Sequence, residues 1–357
     1  MTLGARWHHR ATAGARWGLR FFSCLSAVAA IFAVTFPFFA LVLCGYVAAR
    51  SRLLPLEAVP GLNSFVLYFA LPCMLWRFGR GTPVADLFSP VVALVWLGAA
   101  ALIVAAAAAL ARRQGAGWPD AAFGALVAAF PNTGFMGAPL LLALLGAQAA
   151  GPLMATLLLD FVVTTSACMA LSQWGAGSDG VAGSAGGHGG AWQAAMRAWR
   201  GVLRNPMPWA ILLGALASLT GLALPGPLDR VVGLLADAAT PVALFTIGAV
   251  LARVQMSMPL HPARAGAVAD VPLLAGLKLV AHPLLVWGLG RAAVAAGALA
   301  PEALTTLTLA AALPSASNVS LLAERFGADN GRIARIILWS TAAAFLGFSA
   351  AAALLRP

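Results

Sequence analysis

Ala128-Ala129-Phe130-Pro131-Asn132-Thr133-Gly134-Phe135-Met136-Gly137-Ala138-Pro139 interrupts a long apolar run, and Ala311-Ala312-Leu313-Pro314-Ser315-Ala316-Ser317-Asn318-Val319 interrupts another. In both, a proline is followed by small polar residues. Proline removes a backbone donor and collides with the preceding helical turn, and Gly134 and Gly137 loosen the first segment further. About eleven residues lead from Asp120 to Pro131 and about thirteen from Pro301 to Pro314, which at 1.5 Å per residue sets both breaks roughly 17–20 Å deep, near the middle of a bilayer. Peptide groups freed there need protein or water as partners, because lipid offers none. Asn132, Thr133, Ser315, Ser317 and Asn318 stand ready to help. The half-helix after each break begins with free amides and a positive dipole end, a setting that suits a carboxylate. Either break alone could be an ordinary proline kink. Two breaks in corresponding spans of two halves favour a binding site made by Pro131, Asn132, Thr133, Gly134, Pro314, Ser315, Ser317 and Asn318.

Composition supports the membrane setting. Of 357 residues 61% are apolar and only 9% are charged, against about 25% charged in a soluble domain. So few charges cannot cover a soluble surface, which excludes soluble enzymes and nucleic-acid-binding domains. Apolar runs of about bilayer length fall at 31–49, 62–79, 88–111, 120–146, 149–174, 206–224, 228–251, 268–290, 301–326 and 333–355. They are long and rich in Ala and Leu, without period-two alternation, so they predict helices rather than the strands of a barrel.

Between the fifth and sixth runs, Gly175–Gly190 holds eight glycines in sixteen residues and reads as a flexible linker. It divides the chain into a first five-helix repeat at 31–174, a linker at 175–205 and a second five-helix repeat at 206–357. An odd number of spans per half inverts the second half relative to the first. The predicted fold is therefore an all-α membrane protein of ten transmembrane helices in two inverted repeats.

The net charge of +11 comes from 21 Arg and the single Lys278. The gaps after odd-numbered spans hold twelve Arg, against five in the even gaps and at the C-terminus (Arg77, Arg80, Arg230, Arg291 and Arg356). The positive-inside rule then makes the linker cytoplasmic and puts both termini outside; the expected location is the inner (plasma) membrane, as a multi-pass protein. The basic extension at 1–30, with Arg6, Arg10, Arg16 and Arg20, conflicts with this orientation. It reads as an extension that does not belong to the native protein, with a signal peptide or an inward-held tail as alternatives. A Walker A loop is excluded, since Leu277 precedes the only lysine. Cys24, Cys44, Cys73 and Cys168 lack zinc spacing and read as small core residues. No metal or cofactor is expected.

Asp160, Asp237 and Lys278 fall near the middles of their runs, where a charge costs at least about 2.5–3.5 kcal/mol. Each should face the interior or a water-filled cavity. For Asp160 and Lys278, substrate binding or ion coupling on one side, and a structural salt bridge or a neutral carboxylic acid that packs helices on the other, are both open. Asp237 fits a structural partner better. His282, before Pro283, fits packing better than proton relay. Asn63 reads as a helix–helix or substrate hydrogen-bonding group. Pro72 and Pro241 occupy matching spans and read as hinges, and the eleven Trp read mostly as lipid-facing or interfacial.

Five segments together resemble the auxin efflux carrier family, the bacterial relatives of the plant PIN-formed carriers. They are Leu62 through Pro72 (LNSFVLYFALP), Pro131 through Gly137 (PNTGFMG), Asn205-Pro206, Thr240 through Gly248 (TPVALFTIG), and Leu313-Pro314 with Ala323 through Gly327 (AERFG). The resemblance covers about residues 36–348. It implies a fold like that of bile-acid sodium symporters, with interrupted helices 4 and 9 crossing at the centre. It also implies a scaffold of spans 1, 2, 6 and 7, a transport unit of spans 3–5 and 8–10, and a homodimer. The implied function is secondary active transport of a small organic anion such as a carboxylate, coupled to protons, sodium or nothing. Plant members often carry a long regulated central loop. The loop here is short, so their regulation does not carry over. An anion channel or a non-transporting membrane sensor is the alternative. An intramembrane aspartyl protease is disfavoured because Leu159 and Ala236, rather than Tyr and Gly, precede Asp160 and Asp237.

Overall fold

The structure, a computed structural model, describes residues 33–173, 206–257 and 270–355. The expectations for the extension at 1–30 and the linker at 175–205 lie outside the described residues. Every apolar run read from the sequence is helical over its described part apart from the breaks at Pro131 and Pro314, and the ends move by a few residues. The helices are α1 (Ala33–Arg50), α2 (Leu56–Gly81), α3 (Pro90–Arg113), α4 (Trp118–Ala129), α5 (Thr133–Leu145), α6 (Ala147–Ser172), α7 (Pro206–Thr220), α8 (Gly226–Ser257), α9 (Val271–Ala295), α10 (Pro301–Ala311), α11 (Val319–Arg325) and α12 (Asn330–Leu355). Among the described residues, seven helical stretches are long and apolar enough to cross a membrane, and there is no strand.

Local chemistry sets the ends. The Ser89 hydroxyl accepts from the Val92 amide at the start of α3, and Pro90 fills a first-turn position where no amide donor is needed. The helix stops at Gly115, whose φ of +80° only glycine adopts freely. There the Ala116 amide reaches back to the Ala111 carbonyl at 3.0 Å and satisfies one of the orphan acceptors of the last turn.

The helices pack in two sets. In the first, α2 lies against α7 and α8, and α1 joins α8. In the second, α3 packs on α4, α6 and α9; α10 packs on α9; and α12 packs on α9 and α11. Two glycine pairs bring backbones of the first set together. A Cβ at Gly45 or Gly248 would strike the backbone of the facing helix (Phe245 and Val42), and a Cβ at Gly79 or Gly214 would do the same at Ile211 and Trp76. In membranes such close approach replaces the hydrophobic drive that lipid cannot supply.

The second set is clamped at one end by Arg332. Its guanidinium is buried, donates through Nε and Nη2 to the Asp270 carboxylate, and donates through Nη1 to the Asp120 carbonyl at 2.8 Å. The Asp120 carboxylate accepts from the Asp329 amide at 2.7 Å, so the starts of α4, α9 and α12 are joined by one network. Counting Arg332 as a loop arginine therefore missed its role as a buried partner.

Candidate functional site

Helix α4 ends at Phe130 because the residue before a proline is pushed out of the α region, and Phe130 indeed has φ −99° and ψ 105°. Helix α10 stops three residues before Pro314. The two breaks then meet. The Asn132 amide donates to the Pro314 carbonyl at 2.8 Å, and the Ala316 amide donates to the Phe130 carbonyl at 3.0 Å, which makes an antiparallel bridge between Pro131 and Ser315. Each break thus satisfies peptide groups that the other exposes. Gly137 permits the contact, since a Cβ there would sit 2.5 Å from Leu313 Cδ1.

Around this bridge the polar side chains are buried and unspent. Among the described residues, Asn132 Oδ1, Thr133 Oγ1, Ser315 Oγ and Asn318 Oδ1 have no hydrogen-bond partner. Native interiors leave few such groups, and each costs about 1–3 kcal/mol. The Ser315 amide is capped by the Ser340 hydroxyl of α12 at 3.2 Å. The amides of Gly134, Phe135, Ser317 and Asn318 have no backbone acceptor among the described residues. Pro131, Asn132, Thr133, Gly134, Pro314 and Ser315 are all buried, and Ser317 and Asn318 are half-buried.

Asn63 does not join this group. It is half-buried on the part of α2 that packs against α8, and it makes no hydrogen bond to the crossing among the described residues. A residue that the motif reading passed over is Thr246 of α8. It is 1% exposed with an unpartnered hydroxyl, on the helix that packs against the start of α5.

The mid-span charges separate into two kinds. Asp237 has a partner, as expected, since Arg77 Nη1 lies 2.7 Å from its carboxylate, but its side chain is 69% exposed rather than interior. The cause is orientation: the Asp237 side chain faces away from the packed core of α8, beside an arginine four residues from the end of α2. A second pair, Arg80 with Asp229 at 3.2 Å, joins the same two helices.

Asp160 and Lys278 are fully buried, and neither belongs to an ion pair among the described residues, so the simple structural salt bridge is not formed. Asp160 Oδ1 accepts from the Trp96 indole at 2.9 Å and from the Thr164 hydroxyl at 3.0 Å, while Oδ2 has no partner. Lys278 Nζ donates to the Ala311 carbonyl, in the last turn of α10, at 2.5 Å and lies 3.3 Å from His282 Nδ1. Trp96 spans the two halves of the cluster, with its ring 5.4 Å from that of His282. Sequence reasoning places the tryptophans mostly at lipid and so misses this one. The available clue is that a mid-span indole N–H needs an acceptor. Both charged residues also sit in π-turns, Asp160–Thr164 and Leu277–Ala281, a local widening common at functional sites.

Several apolar helices of membrane length, wrapped around polar groups shut away from solvent, define a multi-pass membrane protein. The chain belongs to the Membrane transport protein family, whose match covers residues 30–350; the resemblance read from its motifs is thereby borne out. It is 30% identical over 318 residues, covering 88% of this chain and 92% of the relative, to the "Putative malonate transporter" of Rhizobium meliloti (strain 1021). It is also 27% identical over 305 residues, covering 81% and 86%, to the "Uncharacterized transporter YfdV" of Escherichia coli (strain K12). Both relatives carry transporter names, not enzyme names.

Proposed function

We propose that the chain is a secondary active carrier of a small organic anion, with a carboxylate such as malonate as the first substrate to test, and that it works by alternating access at the crossing of the two breaks. The observation that carries this reading is the hydrogen-bonded pair of breaks with four unspent side-chain acceptors and four unspent amides around it. The amides and the Asn132 and Asn318 carboxamides would hold the substrate carboxylate. The side-chain amide donors bond the anion, and the amide oxygens and hydroxyls meet its water or its second polar end. The relative named for malonate supports this substrate class.

The ten-span inverted repeat is part of the same proposal. Positions 45 and 214, 72 and 241, and 79 and 248 are Gly, Pro and Gly pairs, and 214 − 45, 241 − 72 and 248 − 79 all give 169. A two-fold relation of this kind would also exchange the glycine contact of α1 with α8 for that of α7 with α2. We assign the α1, α2, α7 and α8 set to a scaffold and the remaining set to a moving transport unit. The crossing is closed from solvent, so substrate access needs one set to move against the other. The central linker is cytoplasmic in this reading, the membrane is the inner one, and the protein pairs as a homodimer.

The test uses the purified full chain in proteoliposomes with radiolabelled malonate. A carrier gives saturable uptake and counterflow when the vesicles are preloaded with unlabelled malonate. A channel gives flux without counterflow, and a sensor gives no flux; either result refutes the proposal for this substrate.

A further inference from the structure

The Asp160 cluster lies apart from the bridge yet is tied to it, because Lys278 holds the carbonyl of Ala311 three residues before Pro314. Three of its side chains are ionisable and fully buried: Asp160, Lys278 and His282. Cys168, two turns beyond Asp160 on α6, is also buried. The neighbouring helices α3, α4, α10 and α12 carry their charges near their ends, at Arg112, Arg113, Asp120, Glu302, Arg332 and Arg335, and present neutral residues around Asp160 and Lys278.

The hydrogen bonds are arranged asymmetrically. Asp160 Oδ1 takes both donors, the Trp96 indole and the Thr164 hydroxyl, whereas Oδ2 takes none. His282 Nε2 is likewise unpartnered. A proton can therefore be added to Oδ2 or removed from it without breaking any bond that holds the side chain. Without that proton the negative carboxylate and a positive ammonium cancel in net charge, although the two groups do not touch. With it the cluster carries a net positive charge, which an anion at the nearby crossing would balance.

Resting on the carrier reading above, we propose that this cluster is a proton-binding site and that the proton is the coupled ion. Asp160 Oδ2 is the atom that binds it, Trp96 and Thr164 hold Oδ1, and Lys278 with His282 links the site to the end of α10. A hydronium from the open side gives its proton to the carboxylate. One O–H bond breaks, one forms, water leaves, and nothing is oxidised or reduced. The reverse step occurs on the other side.

The test is infrared difference spectroscopy of the full chain in lipid, titrated from mildly acid to mildly alkaline pH. The expected result is a protonated-carboxyl stretch that appears as pH falls, is lost in Asp160→Asn, and is displaced in frequency in Asp160→Glu. Lys278→Met should move the titration by a tenfold or larger change in proton concentration, which a merely structural lysine would not do. No titrating carboxyl band in the wild type, or a band unchanged in Asp160→Asn, overturns the site. If Asp160→Asn does not fold, an unmoved band in Asp160→Glu overturns it equally. In vesicles holding a pH-sensitive dye, malonate uptake should move protons in the wild type. Uptake without proton movement overturns the coupling. No malonate uptake refutes the proposed function for malonate, and the infrared titration then decides the proton site independently.

Discussion

Asn132→Ala separates a binding residue from a structural one, because Asn132 Oδ1 is buried without a partner and the side chain is only 3% exposed. In most cores, truncating a buried amide removes a bond and destabilises the fold. Here the carboxamide oxygen has no bond to lose, and holding it unsatisfied costs about 1–3 kcal/mol, so its removal offsets the packing lost with the side chain. The melting temperature of the substrate-free protein should stay level or rise. Binding should move the other way. A hydrogen bond to a charged group contributes about 1.5–3 kcal/mol, so losing the Asn132 donor should weaken malonate binding about 10- to 150-fold. Asn318→Ala should behave alike. Pro131→Ala should differ from both, since it lets the helix propagate through the break and would withdraw the Asn132 amide from the Pro314 carbonyl. Calorimetric titration with malonate and thermal unfolding, on the same purified variants, read both quantities. An unchanged dissociation constant together with a lowered melting temperature for Asn132→Ala would refute the reasoning and reduce the crossing to a packing feature.

The Arg332–Asp270 pair should tolerate joint replacement better than single loss. Arg332→Met leaves a buried carboxylate without its cation and should cost about 3–5 kcal/mol of stability, and adding Asp270→Leu should recover much of it; chemical unfolding of the three proteins checks this, and a double variant no better than the single one would contradict it. Gly248→Val pushes its first side-chain atom into the Val42 backbone and should sharply lower the yield of folded protein, whereas Gly347→Ala, with open space around it, should be neutral or stabilise by up to about 1 kcal/mol; detergent-stable yield by size exclusion reads both, and equal yields would remove the close helix contact. Ser184→Cys in a cysteine-free background should react with an impermeant thiol reagent only from the cytoplasmic side, as the twelve-to-five arginine asymmetry requires; labelling from outside intact cells would reverse the orientation.

Much of this architecture is legible in the amino-acid sequence because membranes impose coarse, one-dimensional rules. Low charge, long Ala- and Leu-rich runs and two prolines deep inside such runs are enough for an all-helical membrane chain with two broken helices. The small polar residues after each proline also mark Asn132, Thr133, Ser315 and Asn318, whose buried side-chain oxygens the structure leaves unspent. Pairing lies beyond that reading, since it joins residues far apart in the chain. Asn132 is linked to Pro314, Arg332 to Asp270, Trp96 to Asp160, and Lys278 to the Ala311 carbonyl. Asp160, Lys278 and Asp237 look alike as mid-run charges, yet the first two are sealed in the core without an ion pair and the third lies exposed beside Arg77. Hydropathy reports how deep a residue lies along a helix. Which way it faces, and what meets it there, depends on how the helices pack, and that packing is a property of the folded chain alone.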